Sequence, residues 1–424
     1  MLLEFSFNDY RFFKGTNTFN LCPDERTKKM LSNSSVIDDK RVLKALAIYG
    51  GNNCGKTNIV RIFKLVKEAL MGRDNLSFNN PIFGDSDRND VSIVYNNLDG
   101  LGWMKYEFSY SNSDKKYYKE KLSSIKFYPS NKSFSKILFE KDLDNKVLNI
   151  FGDDNSRYLS IIPSTRPLLY SIEVEGGTFS VLKESKESLI KLSNSIEIVS
   201  MYNIPINKTI NILKEDNSNK KQFILSFVKN ADLSVDDFYY SKDPGVIIDK
   251  GIIDEKSLGE LMQSEDIFHL KTRYGKANVP SLLFDSSGTK KMEAVASYIF
   301  EALSEGKTLI VDEIDNGIHF NLTRAIVSIF NNIANVRGQL IFTSHDLLLI
   351  DCKFLLRKDQ IYFLDREKTK AKIHCLRDYP VSEGGPREGD ELLKRYNRGD
   401  FGKVPNPNFI NSLIKIRDAT RDGK

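Results

Sequence analysis

At 424 residues, 40% of them hydrophobic and 28% charged, the chain has the balance of a soluble globular protein with two or three lobes. A net charge of +5 is small at this size and permits contact with DNA or RNA without indicating it. No run of 18 apolar residues offers a membrane span. Four scattered cysteines and four histidines argue against a disulfide framework, a zinc site and a His-rich metal centre, which suits a reducing cytoplasm.

The first region, 1–180, reads as strands around one helix. Residues 1–14 carry Glu4 and Asp9 and lack a long apolar run before a small-residue cleavage site, so no secretory signal is expected there. Residues 45–49 form an apolar strand, and Ile59, Ile62, Phe63, Val66 and Leu70 line one face of the helix expected after Lys56. Met104, Tyr106, Phe108 and Tyr110 alternate with Lys105, Glu107 and Ser109, the period of a half-buried strand. With residues 91–95 before it and Asp99-Gly100 as a turn, a hairpin is expected. Residues 136–140 and 146–150 are further strand candidates around the polar turn 142–145. So much antiparallel material points away from a plain doubly wound sheet.

The middle region, 181–280, is rich in Lys, Glu, Asp, Ser and Asn and is expected to be mainly helical, with an imperfect stripe of Leu189, Ile190, Leu192, Ile196 and Ile198. No heptad persists for three or four repeats, which excludes a long coiled-coil arm. The last region, 281–424, returns to alternating helices and buried strands and ends in a basic tail punctuated by Gly and Pro.

Four short stretches carry the chemistry. Gly50-Gly51-Asn52-Asn53-Cys54-Gly55-Lys56-Thr57 fits G-x-x-x-x-G-K-[ST], a Walker A loop between a strand and a helix. Its glycines let backbone N–H groups turn inward around phosphates, Lys56 reaches the β- and γ-phosphates, and the Thr57 hydroxyl suits Mg²⁺. The helix N-terminus adds its dipole to the anion site. Thr308-Leu309-Ile310-Val311-Asp312-Glu313 is a buried strand ending in carboxylates, where ligands bind in α/β sheets. Asp312 is expected to hold Mg²⁺, and Glu313 to orient and polarise the attacking water.

Asp285-Ser286-Ser287-Gly288-Thr289 opens a helix whose Met292, Val295, Ala296, Ile299 and Leu303 recur at helical spacing. Alone it would read as an ordinary N-cap. Shortly before the Asp312-Glu313 strand it reads as a second anion cradle, serving a neighbour's γ-phosphate. Gln339-Leu340-Ile341-Phe342-Thr343-Ser344-His345-Asp346 is another apolar strand with polar groups at its end, and His345 could hydrogen-bond the γ-phosphate there.

In this order the residues resemble the ABC ATPases, within them the SMC/RecF-related branch, and most of all the RloA/AbiLii-type AAA-family ATPases of bacterial anti-phage defence. The likeness rests on the loop from Tyr49 to Asn58, on Tyr106-Glu107-Phe108-Ser109, on Ser286-Ser287-Gly288-Thr289-Lys290-Lys291, and on the segments 356–363 and 395–405. It runs from the first strand to about Pro405 and is least specific in the middle. It implies an α/β ABC-type P-loop head with an antiparallel β subdomain and a helical insertion. The nucleotide would be ATP with Mg²⁺, bound by Gly50, Asn52, Asn53, Cys54, Gly55, Lys56, Thr57 and Asn58, with Thr57 and Asp312 on the metal. Glu313 and His345 would be catalytic, Ser286, Ser287 and Gly288 would act in trans, and 314–319 would be the D-loop.

Two departures stand out: Asp285 replaces a leucine common in such signatures, and no Q-loop glutamine can be placed after Thr57. The resemblance further implies a homodimer of heads or a larger oligomer, and a separate nuclease effector as partner in abortive infection. A nuclease domain within the chain is not expected. The tail after His345 holds no D-x-D and falls short of the about a hundred residues that such a domain needs. A RecF- or SMC-like DNA-repair ATPase is the alternative; a transporter subunit fits less well, because the signature is not L-S-G-G-Q.

Overall fold

The structure is a computed structural model that describes residues 1–25, 27–78, 87–97, 102–128, 133–172, 180–215, 218–231, 234–243, 265–368, 370–387, 390–402, 404 and 409–422. Strands β1 (Leu2–Tyr10) and β2 (Phe13–Asn20) form a hairpin, and β3 (Ser34–Ile37) with β4 (Lys40–Leu43) a small separate one. Strand β5 (Ala45–Gly50) runs through a short loop into the helix Lys56–Leu70. An antiparallel series follows: β6 (Arg88–Asn97), β7 (Gly102–Ser111), β8 (Lys116–Phe127), β9 (Ser133–Asp142), β10 (Val147–Ile150) and β11 (Asp153–Asp154). The helix Ser180–Asn194 leads into β12 (Ile196–Ser200). Helices Asn207–Lys214 and Ser218–Asn230 precede a three-stranded sheet of β13 (Asp237–Tyr240), β14 (Leu270–Tyr274) and β15 (Ala277–Pro280). Then come the helix Ser287–Glu305, β16 (Thr308–Asp312), the helix Phe320–Phe330, β17 (Gln339–Thr343), β18 (Ile361–Glu367) and β19 (Lys370–Cys375).

Among the described residues one sheet of 14 strands runs in the order β11-β10-β9-β8-β7-β6-β1-β2-β19-β18-β5-β17-β16-β12. Its β18, β5, β17, β16 and β12 are mutually parallel, and β11 through β1 to β2 form an antiparallel meander. This is the α/β P-loop head with an antiparallel subdomain that the sequence led us to expect, the subdomain being a continuation of the head's own sheet. Parallel strands must be apolar on both faces. In β5, Leu46 and Ile48 join one core while Ala45, Ala47 and Tyr49 join another. The first core takes Ile59, Ile62, Phe63 and Val66 of the helix Lys56–Leu70, each at most 1% exposed and each contributing about 1.5–3 kcal/mol of burial. The opposite core takes Met292, Val295 and Ile299 of the helix Ser287–Glu305.

Met104, Tyr106, Phe108 and Tyr110 are all buried along β7, and Val91 pairs with Phe108 across the expected hairpin. The Asp99-Gly100 turn lies outside the described residues. Strands β9 and β10 pair antiparallel around the turn read at 142–145. The stripe drawn through Leu189 to Ile198 divides in the structure. Leu189 and Leu192 are buried on a helix that ends at Asn194, whereas Ile196 and Ile198 belong to β12. Three of the four residues in the run Ile-Glu-Ile-Val are β-branched, and pairing with β16 outweighs helical continuation there. Farther along the middle region, Ile210, Leu213, Ile224, Val228, Phe238 and Leu270 form a small core of their own, shared with Ala296 of the helix Ser287–Glu305.

Candidate functional site

At the C-terminal edge of the parallel strands, the chain leaving β5 curls into the phosphate loop. Asn53 and Gly55 both have left-handed backbone, at φ 64 and φ 108. A Cβ on Gly55 would lie 3.0 Å from the Phe13 ring, and one on Gly50 would lie 2.8 Å from the Leu364 carbonyl oxygen. Gly50 therefore requires glycine for close approach, and Gly55 for the left-handed turn with the Phe13 ring close by. Among the described residues the N–H groups of Gly55, Lys56 and Thr57, which open the helix, meet no backbone acceptor, so these donors suit an anion. Lys56 is 6% exposed and its Nζ donates to the carbonyl oxygens of Gly50 (2.6 Å) and Gly51 (3.2 Å). Burial lowers its pKa, opposed by Cys54, Asp315, Glu313 and Asp312. Thr57 is exposed at the helix start, and Asn58 is buried with its Oδ1 accepting from Arg11 Nη1 at 3.0 Å. Asn52 is exposed on the loop.

Two strands along, β16 ends in Asp312, which is 6% exposed. Thr343 on neighbouring β17 serves both acidic positions. Its hydroxyl donates to Asp312 Oδ1 at 2.6 Å and accepts from the Glu313 N–H at 2.8 Å. Glu313 itself sits at φ 52, a left-handed conformation that costs a residue with a Cβ about 1–2 kcal/mol. The turn takes Glu313 out of the strand, where its Oε2 accepts from Asn316 Nδ2 at 3.0 Å.

His345 follows β17, and its Nδ1 stands 3.4 Å from Lys56 Nζ. Its backbone N–H donates to both oxygens of Asp315 at 3.2 Å. Burial, then the Lys56 charge, lowers the His345 pKa, which keeps the ring neutral at pH 7. With an ammonium facing Nδ1, that nitrogen is the acceptor and the ring proton sits on Nε2, available as a donor. The structure thus brings Lys56, Asp312, Glu313 and His345 into one neighbourhood.

The signature residues stand apart from this cluster. Ser286 caps the helix Ser287–Glu305, its Oγ accepting from the Thr289 N–H at 3.1 Å. Ser286 and Ser287 are exposed, and none of the groups named around Lys56 comes from this turn. Asp285 has a role that a leucine could not fill. It is 5% exposed and accepts from Thr272 Oγ1 (2.5 Å) and Tyr274 OH (2.6 Å) of β14, tying the turn to the three-stranded sheet. Beside it, burial and the Asp285 charge hold the Glu293 carboxyl well above the usual carboxylate range.

Several members of the site escaped the sequence reading. Thr343 was visible only as the polar end of a strand. Arg366 donates from Nη1 to the Asn53 carbonyl oxygen at 2.9 Å and stacks 3.6 Å over the Phe12 ring, steadying the phosphate loop from β18. No local signal links positions so far apart. The strand beside Asp312 is β12, and the chain leaving it reads Met201-Tyr202-Asn203, with no glutamine.

Cys54 is 8% exposed within the loop, and burial raises its thiol pKa. Alkylation at neutral pH should therefore reach the half-buried Cys22 before Cys54, with no effect of ATP on the Cys54 rate. Peptide mass spectrometry after timed iodoacetamide treatment measures this. Labelling of Cys54 as fast as Cys22 and blocked by ATP would show instead a thiol open to the nucleotide site.

The family described as "AAA domain, putative AbiEii toxin, Type IV TA system" matches residues 46–351, a span holding all the motifs above. No curated protein matches the chain. Among solved structures, the chain is similar to an SMC head bound to the C-winged helix domain of ScpA, at 12% identity and a TM-score of 0.44, over 88% of this chain and 97% of that one. It is also similar to the SMC head domain from Thermotoga maritima, at 11% identity and a TM-score of 0.40, over 88% and 98%. A third, at 12% identity and 0.39, is an SMC head with an extended coiled coil bound to the C-terminal domain of ScpA, from Pyrococcus furiosus, over 93% and 99%. Among the described residues no helix is long and apolar enough to cross a membrane.

Proposed function

We propose that this chain, which belongs to the AbiEii-type AAA-domain family, hydrolyses ATP with Mg²⁺ at sites shared between two copies of itself. The observation that carries the reading is the convergence of Lys56, Asp312, Glu313 and His345 at the C-terminal edge of the parallel strands. The donor set fits the ligands. Loop N–H groups and Lys56 suit phosphates, and the oxygens of Thr57 and Asp312 suit Mg²⁺, which prefers few protein ligands completed by phosphate and water. Glu313, held by the Thr343 hydroxyl and Asn316, orients and polarises the attacking water, and His345 Nε2–H donates to the γ-phosphate. Held by the oxygens of Thr57 and Asp312, Mg²⁺ would supply neutralisation of the charge that develops in phosphoryl transfer.

The Ser286-Ser287-Gly288 turn, with both serines exposed, supports the shared site. It presents a helix N-terminus outward, suited to a neighbour's γ-phosphate. For the biological role we propose control of a separate effector, a nuclease, in anti-phage defence; the support is the resemblance of the motifs to the RloA/AbiLii-type ATPases, while the family description names a putative AbiEii toxin of a Type IV toxin–antitoxin system. The described chain after His345 serves the head itself. Phe363 of β18 stacks on Phe401 at 5.0 Å, and Tyr396 packs beside it at 5.6 Å. The Arg357–Asp359 pair, 2.7 Å apart and buried, anchors the carbonyl oxygens of Asp24 and Lys29.

Two inactive variants test the shared site. Ser286→Arg is expected to bind ATP normally yet not turn it over, and Lys56→Ala not to bind. In a mixed dimer one site carries both defects while the other is wild type at both positions. Mixing should then restore part of the phosphate release, provided one intact site suffices. Normal activity of both variants alone would rule the shared site out.

A further inference from the structure

We propose that Lys291 is a positioning residue that aims the Glu313 carboxylate through Asn316, coupling the signature helix to the catalytic group of the same chain. The proposal rests on the ATPase reading above. Lys291 lies on the helix Ser287–Glu305, about one turn beyond the exposed Ser287. Its Nζ donates to the Asn316 carbonyl oxygen at 2.8 Å and to Asn316 Oδ1 at 2.7 Å. The other end of the same amide, Nδ2, donates to Glu313 Oε2 at 3.0 Å. The Asn316 backbone N–H also donates to the Glu313 carbonyl oxygen at 2.9 Å.

The charges at the two ends set the polarity of this relay. An amide oxygen must face an ammonium and an amide NH₂ must face a carboxylate; turned over, the side chain would set donor against donor and acceptor against acceptor. Asn316 can therefore follow Lys291 only by carrying Glu313 with it.

The close approach that allows the relay is built into the backbone. Gly317 has φ +68, and a Cβ there would fall 2.6 Å from Lys291 Nζ. A Cβ on Gly288 would fall 3.1 Å from the Gly317 carbonyl oxygen. Two glycines thus bring the 315–317 turn against the first turn of the signature helix. Burial lowers the Lys291 pKa, and the Glu313 charge acts against that, as expected for an ammonium near the carboxylate.

The functional consequence follows from where each end of the relay works. Ser286, Ser287 and Gly288 serve the neighbour's nucleotide, and Glu313 serves the chain's own. Engagement of the signature shifts the helix N-terminus and hence Lys291, so occupancy of one site sets the aim of the carboxylate in the other.

The test is a double-mutant cycle on the full chain with Lys291→Met, Asn316→Ala and both together. Steady-state hydrolysis of Mg-ATP is measured, with calorimetry of a non-hydrolysable ATP analogue and thermal unfolding of each protein. Each single variant should lose about tenfold in kcat, with KM and analogue affinity within about twofold of wild type. The double variant should be no slower than the slower single, because both changes break one relay. Should Lys291→Met fail to fold, Lys291→Gln removes the charge while keeping a donor, and the same cycle is run with it. Losses that multiply to about a hundredfold in the double variant, or an unaltered kcat in the Lys291 variant, would overturn the relay. Wild-type protein without ATPase activity would instead remove the reading on which it rests, so the two failures are distinct.

Discussion

Lys56→Ala is expected to abolish ATP binding, weakening it by at least about a hundredfold, in line with truncation of a buried, hydrogen-bonded charge. Lys56 is the only cation in contact with the loop carbonyls of Gly50 and Gly51 among the described residues, and its 6% exposure places it under the loop rather than over it. Surface lysines could not replace it, since screening by water would cost them most of the Coulomb energy. Folding should survive the change. Burial opposes the Lys56 charge and lowers its pKa, so removing the ammonium relieves a desolvation cost while breaking its two bonds to carbonyls. Calorimetry with Mg-ATP and a thermal melt of the ligand-free protein separate the two effects. Unchanged ATP affinity would remove the phosphate-loop assignment.

What could be read from the residues, and what could not, follows from the range over which each signal acts. The loop 50–57 is legible because phosphate chemistry fixes residue types at adjacent positions, and the two left-handed residues, Asn53 and Gly55, are of the kinds that tolerate that turn. The β7 strand is legible because Met104, Tyr106, Phe108 and Tyr110 bury one face at period 2. Ile196 and Ile198 extend the helical stripe in sequence yet form a strand, because so short an apolar run fits either period and only β16 alongside decides. The supports of the site could not be read at all. Thr343 holds Asp312 and Glu313 from 31 and 30 residues away, Arg366 holds Asn53 from 313 away, and Lys291 meets Asn316 across 25. Spacing in sequence carries no trace of such pairs, because sheet order and helix packing create them. In the segments quoted for the family likeness, described residues serve as scaffold: Arg357 and Asp359 lock an early loop, and Tyr396 and Phe401 pack on Phe363.

Glu313→Gln is expected to leave ATP bound and stop its hydrolysis. The amide has the size of the carboxylate, and its oxygen can still accept from Asn316 Nδ2, so the local geometry is kept. Only the negative charge that polarises the attacking water is lost, and the rate should fall by about 10²–10⁴, the range of general acid–base contributions. Asp312 remains oriented by Thr343 Oγ1 at 2.6 Å, and Lys56 remains beneath the loop, so neither metal nor phosphate binding loses a ligand. If ATP itself bridges two heads, a pair that cannot hydrolyse stays closed. The variant should therefore accumulate with ATP as a dimer or larger assembly in size-exclusion chromatography with light scattering, while wild type turns over and comes apart. In the proposed defence role the same change would fix the partner nuclease in its ATP-bound setting, permanently on or permanently off. Wild-type hydrolysis by the Gln variant would end the catalytic assignment of Glu313. A variant that stops hydrolysis yet shows no ATP-dependent mass change would keep that assignment and count against closure of two heads around the nucleotide, so the one substitution tests the two halves of the mechanism separately.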